Sequence, residues 1–166
     1  MTAQCSTMRK ISRTSAGAAL SETVLALFRV TSGLLTAGDR LVADLGLTSA
    51  RWQVLGTIVA AERPQPVAWL ARDMGANRQN VQRITNDLLR DGLVELAPNP
   101  HHRRAALVVL TAQGRQAFEQ AMALEAPWMN HLAEGIEPAD IQAMQRVLAA
   151  LRGRLDAELS GGADGG

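Results

Sequence analysis

Residues 66 to 111, PVAWLARDMGANRQNVQRITNDLLRDGLVELAPNPHHRRAALVVLT, constrain the fold more than any other stretch, because the spacing of their apolar residues changes in a fixed order. Val67, Leu70, Ala71 and Met74 recur at helical spacing, and Gly75 follows where a residue free to take positive φ lets the chain turn. Asn77 offers a side-chain oxygen to cap a second helix, whose inward stripe is Val81, Ile84 and Leu88. Gly92 closes that helix. Leu93 to Leu96 and Ala106 to Leu110 are short apolar runs bounded by turn residues, as in a two-stranded hairpin. Pro98-Asn99-Pro100-His101-His102-Arg103-Arg104 joins them, stiffened by two prolines and tipped by two arginines.

Helix, turn, helix, strand, basic tip, strand is the order of a winged helix-turn-helix. The outer face of the second helix carries Arg78, Gln79, Asn80, Gln82, Arg83 and Asn86, with no acid before Asp87. These side chains can read base edges or grip phosphates, whereas an ordinary solvated helix would mix in Glu and Lys. Arg103 and Arg104 are suited to a narrow minor groove, whose negative potential favours arginine.

The flanks carry two long apolar seams. Leu20, Val24, Leu27, Leu34, Leu41 and Leu45 follow spacings of four, three and seven along one predicted helix, and Ile141, Met144, Leu148, Leu151 and Leu155 repeat at three and four near the other end. Pro138 fits the first turn of the last helix, and Gly153 is a mild defect within it. Residues 112 to about 134 are expected to form a further long helix that Pro127 kinks or breaks. In an arbitrary helical protein such seams pack internally; at the two ends of a chain with a reader between them, they can also interlock two copies.

Composition bounds the remainder. At 166 residues and 47% apolar the chain suits one domain, or one protomer of an intertwined dimer. Aromatics make up 3% and Tyr is absent, while Ala and Leu abound, which favours helix over sheet. The lone Cys5 rules out an internal disulfide framework, and no continuous apolar run reaches the roughly 18 residues of a membrane span. Arg9, Lys10 and Arg13 precede no secretory apolar region, so a cytoplasmic protein with no membrane partner is expected. Net charge is only +1, but residues 63 to 104 carry +3 and residues 105 to 166 carry −4. Arginine supplies 16 of the 17 basic residues, which suits bidentate readout and equally fits a GC-rich genome.

On these residues the chain resembles the MarR family of transcriptional regulators. The pieces that carry the likeness are Leu47-Thr48-Ser49-Ala50-Arg51-Trp52-Gln53-Val54-Leu55, the helix-turn-helix, Asp91-Gly92-Leu93-Val94, and Arg103-Arg104-Ala105 running to Leu110-Thr111-Ala112-Gln113-Gly114, spread over most of residues 16 to 159. The resemblance implies a mostly α fold: a winged helix-turn-helix with a small β-hairpin wing and long N- and C-terminal dimerisation helices. It implies a flexible arm (1–15), a helical dimerisation region (16–46 and 112–159), a DNA-binding region (47–111) and a disordered tail (160–166). It further implies a homodimer on a palindromic operator in double-stranded DNA, its recognition helices in successive major grooves. Gln79, Asn80 and Arg83 would be the leading base readers, Arg103 the wing-tip arginine and Arg104 its support. The functional expectation is a repressor released by a small lipophilic or phenolic effector, bound in a hinge pocket for which Arg29, Arg51 and Trp52 are candidates. Many family members carry Asp before the wing-tip arginine, where this chain has His102. A protonated imidazole there would repel the arginines, so wing order and DNA affinity are expected to vary with pH.

Other chemistry finds little support. His101, His102 and His131 lack the i, i+4 spacing of a helical zinc pair, and no metal or cofactor is expected. Cys5 could be an oxidant-sensing thiol, but it has no neighbour to activate it. Trp52, Trp69 and Trp128 are read as packing rather than stacking residues. No phosphate loop, nucleophile elbow or triad is present, and catalysis is not expected. The alternative function is a winged helix used for protein–protein contacts without specific DNA binding; such a helix should present apolar anchors instead of Arg, Gln and Asn.

Overall fold

The computed structural model describes residues 12–102 and 104–161. Cys5, Arg9, Lys10, Arg103 and most of the expected arm and tail therefore lie outside the described residues. Six helices and one hairpin follow in the order α1 (Ser15–Leu41), α2 (Ser49–Ala60), α3 (Val67–Met74), α4 (Arg78–Arg90), β1 (Val94–Ala97), β2 (Leu107–Leu110), α5 (Ala112–Leu132) and α6 (Pro138–Gly161), with a 3₁₀ turn at Ala43–Leu45. Two compact units divide within α5, the first ending at Leu124 and the second beginning at Glu125.

The first unit holds the core. Val42, Val54, Leu55, Leu70, Val81, Leu88, Val108 and Ala121 are sealed from solvent, with Trp52 and Phe118 packed partly against them. Val81, Ile84 and Leu88, the stripe expected from spacing, are the buried residues of α4 together with Thr85. Thr85 tolerates full burial because its hydroxyl donates to the Val81 carbonyl at 2.8 Å.

The first helix is shorter than its apolar spacing predicts: it ends at Leu41, and Leu45 belongs to the 3₁₀ turn. The stop is local chemistry. Gly46 takes φ 66°, and the Leu47 N–H reaches back to the Val42 carbonyl at 3.3 Å, a closure that a left-handed glycine permits. Ser49 then staples the junction, its N–H donating to Asp39 at 2.6 Å and its hydroxyl to the Leu35 carbonyl at 2.8 Å. Gly38 leaves the room for it, since a Cβ there would lie 2.6 Å from the Ser49 oxygen.

The first strand is displaced by one residue from the expected run and the second starts one residue later, pairing Val94 with Leu110 and Ala97 with Leu107. Leu93 extends the pairing only through its carbonyl, which accepts the Thr111 N–H at 3.2 Å, because its own N–H closes α4 on the Leu88 carbonyl at 2.9 Å. A third segment braces the wing: the Val108 N–H donates to the Gln65 carbonyl at 2.9 Å.

Pro127 does not break α5, which continues to Leu132. A proline removes one backbone donor, and the bonds on either side suffice here. In the second unit, Gly135 turns the chain at φ 76° and Pro138 opens α6 as expected. That unit leaves Ile136, Met144, Val147, Leu155 and Leu159 at least half exposed. In α1, Leu25, Phe28 and Val30 are also more than half exposed, off the stripe read from spacing, while Leu20, Val24 and Leu41 are half-buried. Although no continuous apolar run of membrane length exists, an 18-residue window of α1 reaches a mean hydropathy of 1.3, so by length and composition alone this helix could cross a membrane.

Candidate nucleic-acid interface

The helix-turn-helix is set by two backbone devices. Gly75 ends α3 at φ 62°, with its own N–H on the Arg72 carbonyl and that of Ala76 on the Ala71 carbonyl. Two residues on, the Asn77 side chain accepts from the N–H groups of Gln79 and Asn80 and starts α4. Burial of Val81, Ile84, Thr85 and Leu88 then turns the opposite face outward. Arg78, Gln79, Asn80, Gln82, Arg83 and Asn86 are all exposed, and no exposed residue of α4 is apolar.

These side chains are already paired among themselves. Arg83 donates to Asn80 Oδ1 at 3.0 Å, and Gln82 donates to Asn86 Oδ1 at 3.0 Å. Asp87 sits between two arginines, with Arg83 at 3.7 Å on one oxygen and Arg90 at 2.9 Å on the other. Arg90 also lies 3.6 Å from Asp91, whose second oxygen receives Arg51. Among the described residues, Arg78 is the α4 arginine without an ion pair.

Asn99 organises the wing tip. Its amide donates to the Ala105 carbonyl at 2.8 Å, and its oxygen accepts the His101 N–H at 3.0 Å, which folds the basic segment back on itself. His101, His102 and Arg104 stand exposed there. Arg103, beside them, lies outside the described residues.

The three hinge candidates do not form one constellation among the described contacts. Arg29 is exposed on α1, Trp52 packs partly against the core, and Arg51 is engaged by Asp91 and by the Gly46 carbonyl at 2.8 Å. A cleft of about 510 Å³ is lined instead by Gln53, Gly56, Thr57, Ala60, Ala61, Asp73 and Met74. No motif marked those residues, since a cleft made of Gly, Ala and Met beside three polar groups has no sequence spacing of its own. Trp69 lies on the surface, with the guanidinium carbons of Arg63 and Arg72 each 5.6 Å from its ring centre. No group of three His, Cys, Asp or Glu side chains that could hold a metal occurs among the described residues.

Comparison with known proteins agrees with this geometry. The MarR family model matches residues 45–105, the span from the 3₁₀ turn through the wing tip. An uncharacterized Mycobacterium tuberculosis protein is 36% identical over 137 residues, 80% of this chain and 94% of that protein. The transcriptional activatory protein BadR of Rhodopseudomonas palustris is 36% identical over 98 residues, 56% of this chain and 54% of BadR. The crystal structure of the MarR family transcription regulator SP03579 superposes with a TM-score of 0.71 at 25% identity, covering 85% of this chain and 92% of that one. The transcriptional repressor CouR bound to a 23-mer DNA duplex gives a TM-score of 0.71 at 24% identity, over 85% and 99% of the two chains. CouR from Rhodococcus jostii RHA1 has also been solved with p-coumaroyl-CoA, at a TM-score of 0.68 and 24% identity, over 76% and 88%. With a reader helix, a wing and these matches, the chain belongs to the MarR family of DNA-binding transcription regulators.

Proposed function

We propose that the chain acts in the cytoplasm as a homodimer on a palindromic operator, a repressor released by a small lipophilic or phenolic ligand. The observation that carries this reading is the outer face of α4, where six exposed Arg, Gln and Asn side chains stand without an apolar anchor. Gln79, Asn80 and Arg83 are the proposed base readers, and Arg103 and Arg104 the minor-groove contacts. A protein-docking helix would expose apolar residues at this face.

Dimerisation is supported by the apolar side chains left on α1 and α6. Leu25, Phe28 and Val30, and likewise Met144, Val147 and Leu155, are more than half exposed in the single chain. Apolar surface of this extent on a monomer marks an interaction site, and a second copy of the same helices is the occupant proposed here. We propose these helices as the dimerisation region, with residues 47–111 as the DNA-binding region. For the effector, the cleft at Gln53, Thr57 and Met74 has a volume within the range of small-molecule sites. A ligand that alters reader spacing would release a dimer matched to grooves roughly 34 Å apart.

The test is fluorescence anisotropy of the purified protein against the duplex upstream of its own gene and against a scrambled duplex, at two salt concentrations. Tight, sequence-dependent binding with two chains per site is expected. Equal, weak binding to both, with monomers in sedimentation, would overturn the proposal. The pH-sensitive wing is tested in the same assay, and unchanged affinity between pH 6 and pH 8 rules it out.

A further inference from the structure

We infer that Asp87 is a specificity-determining residue, which restrains Arg83 so that sequence-blind contact with DNA is suppressed relative to operator binding. The inference deepens the proposed function and rests on it.

The geometry that points to this is a single chain of alternating charge. Arg83, Asp87, Arg90, Asp91 and Arg51 follow one another through ion pairs that run from the exposed middle of α4 to α2. Its two ends differ in exposure, the Arg83 side chain being 68% exposed and that of Arg51 18%, while Arg90 between them is as open as Arg83. One end is thus anchored in protein and the other faces where DNA would lie. Within the chain Asp87 is bidentate by position: Oδ2 faces Arg83, and Oδ1 holds Arg90. Arg83 is itself held on two sides, one terminal nitrogen on Asn80 and the other near Asp87.

A guanidinium fork restrained in this way must give up both partners before it can grip anything else. The edge of a guanine offers two acceptors in the plane of the fork and replaces both lost contacts. A phosphate met at a random site brings no such fixed pair of acceptors on the groove floor, and its charge is repelled by Asp87. The cost of releasing Arg83 is therefore recovered at the right base and not at a random backbone position, which is how a repulsive group adds discrimination. Asp87 acts through Arg83 and is a positioning residue rather than a base reader.

The experiment uses the full chain, a duplex enriched by the wild-type protein from a random library of about 25 base pairs, and a scrambled duplex of the same composition. Asp87→Asn keeps the shape and removes the charge. It is expected to tighten binding to the scrambled duplex by about 5- to 10-fold and to steepen its salt slope by about 0.9, as for one more cation acting on phosphate. Affinity for the enriched duplex should change less than about 2-fold, because Arg83 is released more easily but is no longer oriented by Asp87, so the ratio of the two affinities falls. Asp87→Glu should restore most of the ratio. A merely structural role would lower the melting temperature and weaken both duplexes together, and that result overturns the inference. So does equal tightening on both duplexes, or no change on either. If the wild-type protein enriches no sequence at all, the functional reading fails with it; if it does and Asp87→Asn keeps the same ratio, only the inference fails.

Discussion

Arg51, in the first turn of α2, forms an ion pair with Asp91, the residue that caps α4, while its other terminal nitrogen donates to the Gly46 carbonyl at 2.8 Å. One side chain thus ties the end of the recognition helix to the loop that follows the first helix. The Arg51 side chain is 18% exposed, so the pair is better shielded than a surface ion pair and depends on a fork that meets two acceptors in different directions. Arg51→Ala is expected to lower stability by about 1 to 2 kcal/mol, and Arg51→Lys to recover less than half of that. Urea unfolding of the three proteins at the same concentration checks this; a lysine variant equal to wild type would show that charge alone suffices.

Gly114 lies at the start of α5 against the backbone of β1's approach. A Cβ at this position would run into the Leu93 carbonyl, which is backbone and cannot swing aside. Gly114→Ala should cost more than about 3 kcal/mol, because either the helix or the strand end has to move. Gly153 in α6 is the opposite case, with nothing within 4 Å of an added Cβ. Gly153→Ala should stabilise by about 0.5 to 1 kcal/mol, since alanine restricts the unfolded chain and fits the helix. Thermal unfolding of the pair compares the two signs directly.

Among the readers, Arg83→Ala should weaken operator binding by about 1 to 3 kcal/mol and relax discrimination at one base per half-site. Arg104→Ala at the wing should weaken binding more evenly across sequences and flatten the salt slope. Titration of single-base operator variants separates the two, and an Arg83→Ala protein that discriminates as wild type would remove Arg83 from the base readers.

Phe28 on α1 and Leu155 on α6 are 68% and 56% exposed in the single chain. Glu in place of either adds a charge where the proposed dimer is dry, and so should shift the protein to monomers in sedimentation velocity while leaving its helical circular dichroism in place. Loss of two-chain DNA complexes should accompany the shift. Dimers that persist in both variants would place the dimer contact elsewhere.

The helix-turn-helix was legible because its signals are local: a left-handed glycine at Gly75, a cap at Asn77, and a 3.6-residue apolar period through Val81, Ile84 and Leu88. Each works through a few neighbouring backbone groups, so the order of residues carries it without knowledge of the rest of the chain. The exposed polar face of α4 follows from the same period. Where the first helix stops and where the hairpin ladder begins were less legible. The apolar spacing that continues to Leu45 is overruled by the left-handed turn at Gly46, which Ser49 braces through Asp39 and Leu35, and the Leu93 N–H is claimed by the end of α4 before β1 can use it. Arg83 meets Asn80 and Asp87 at helical spacings of three and four within α4, but the grip of Arg51 on Asp91 and the cleft beside Gln53 had no sequence signature. They depend on which side chains two elements bring within about 4 Å of each other. The helices of the reader and its polar face could be read from residue order alone, since these arise from contacts within one turn of helix. That Arg51 closes on Asp91 was settled by the packing of α2 against α4, because the two residues stand 40 positions apart along the chain.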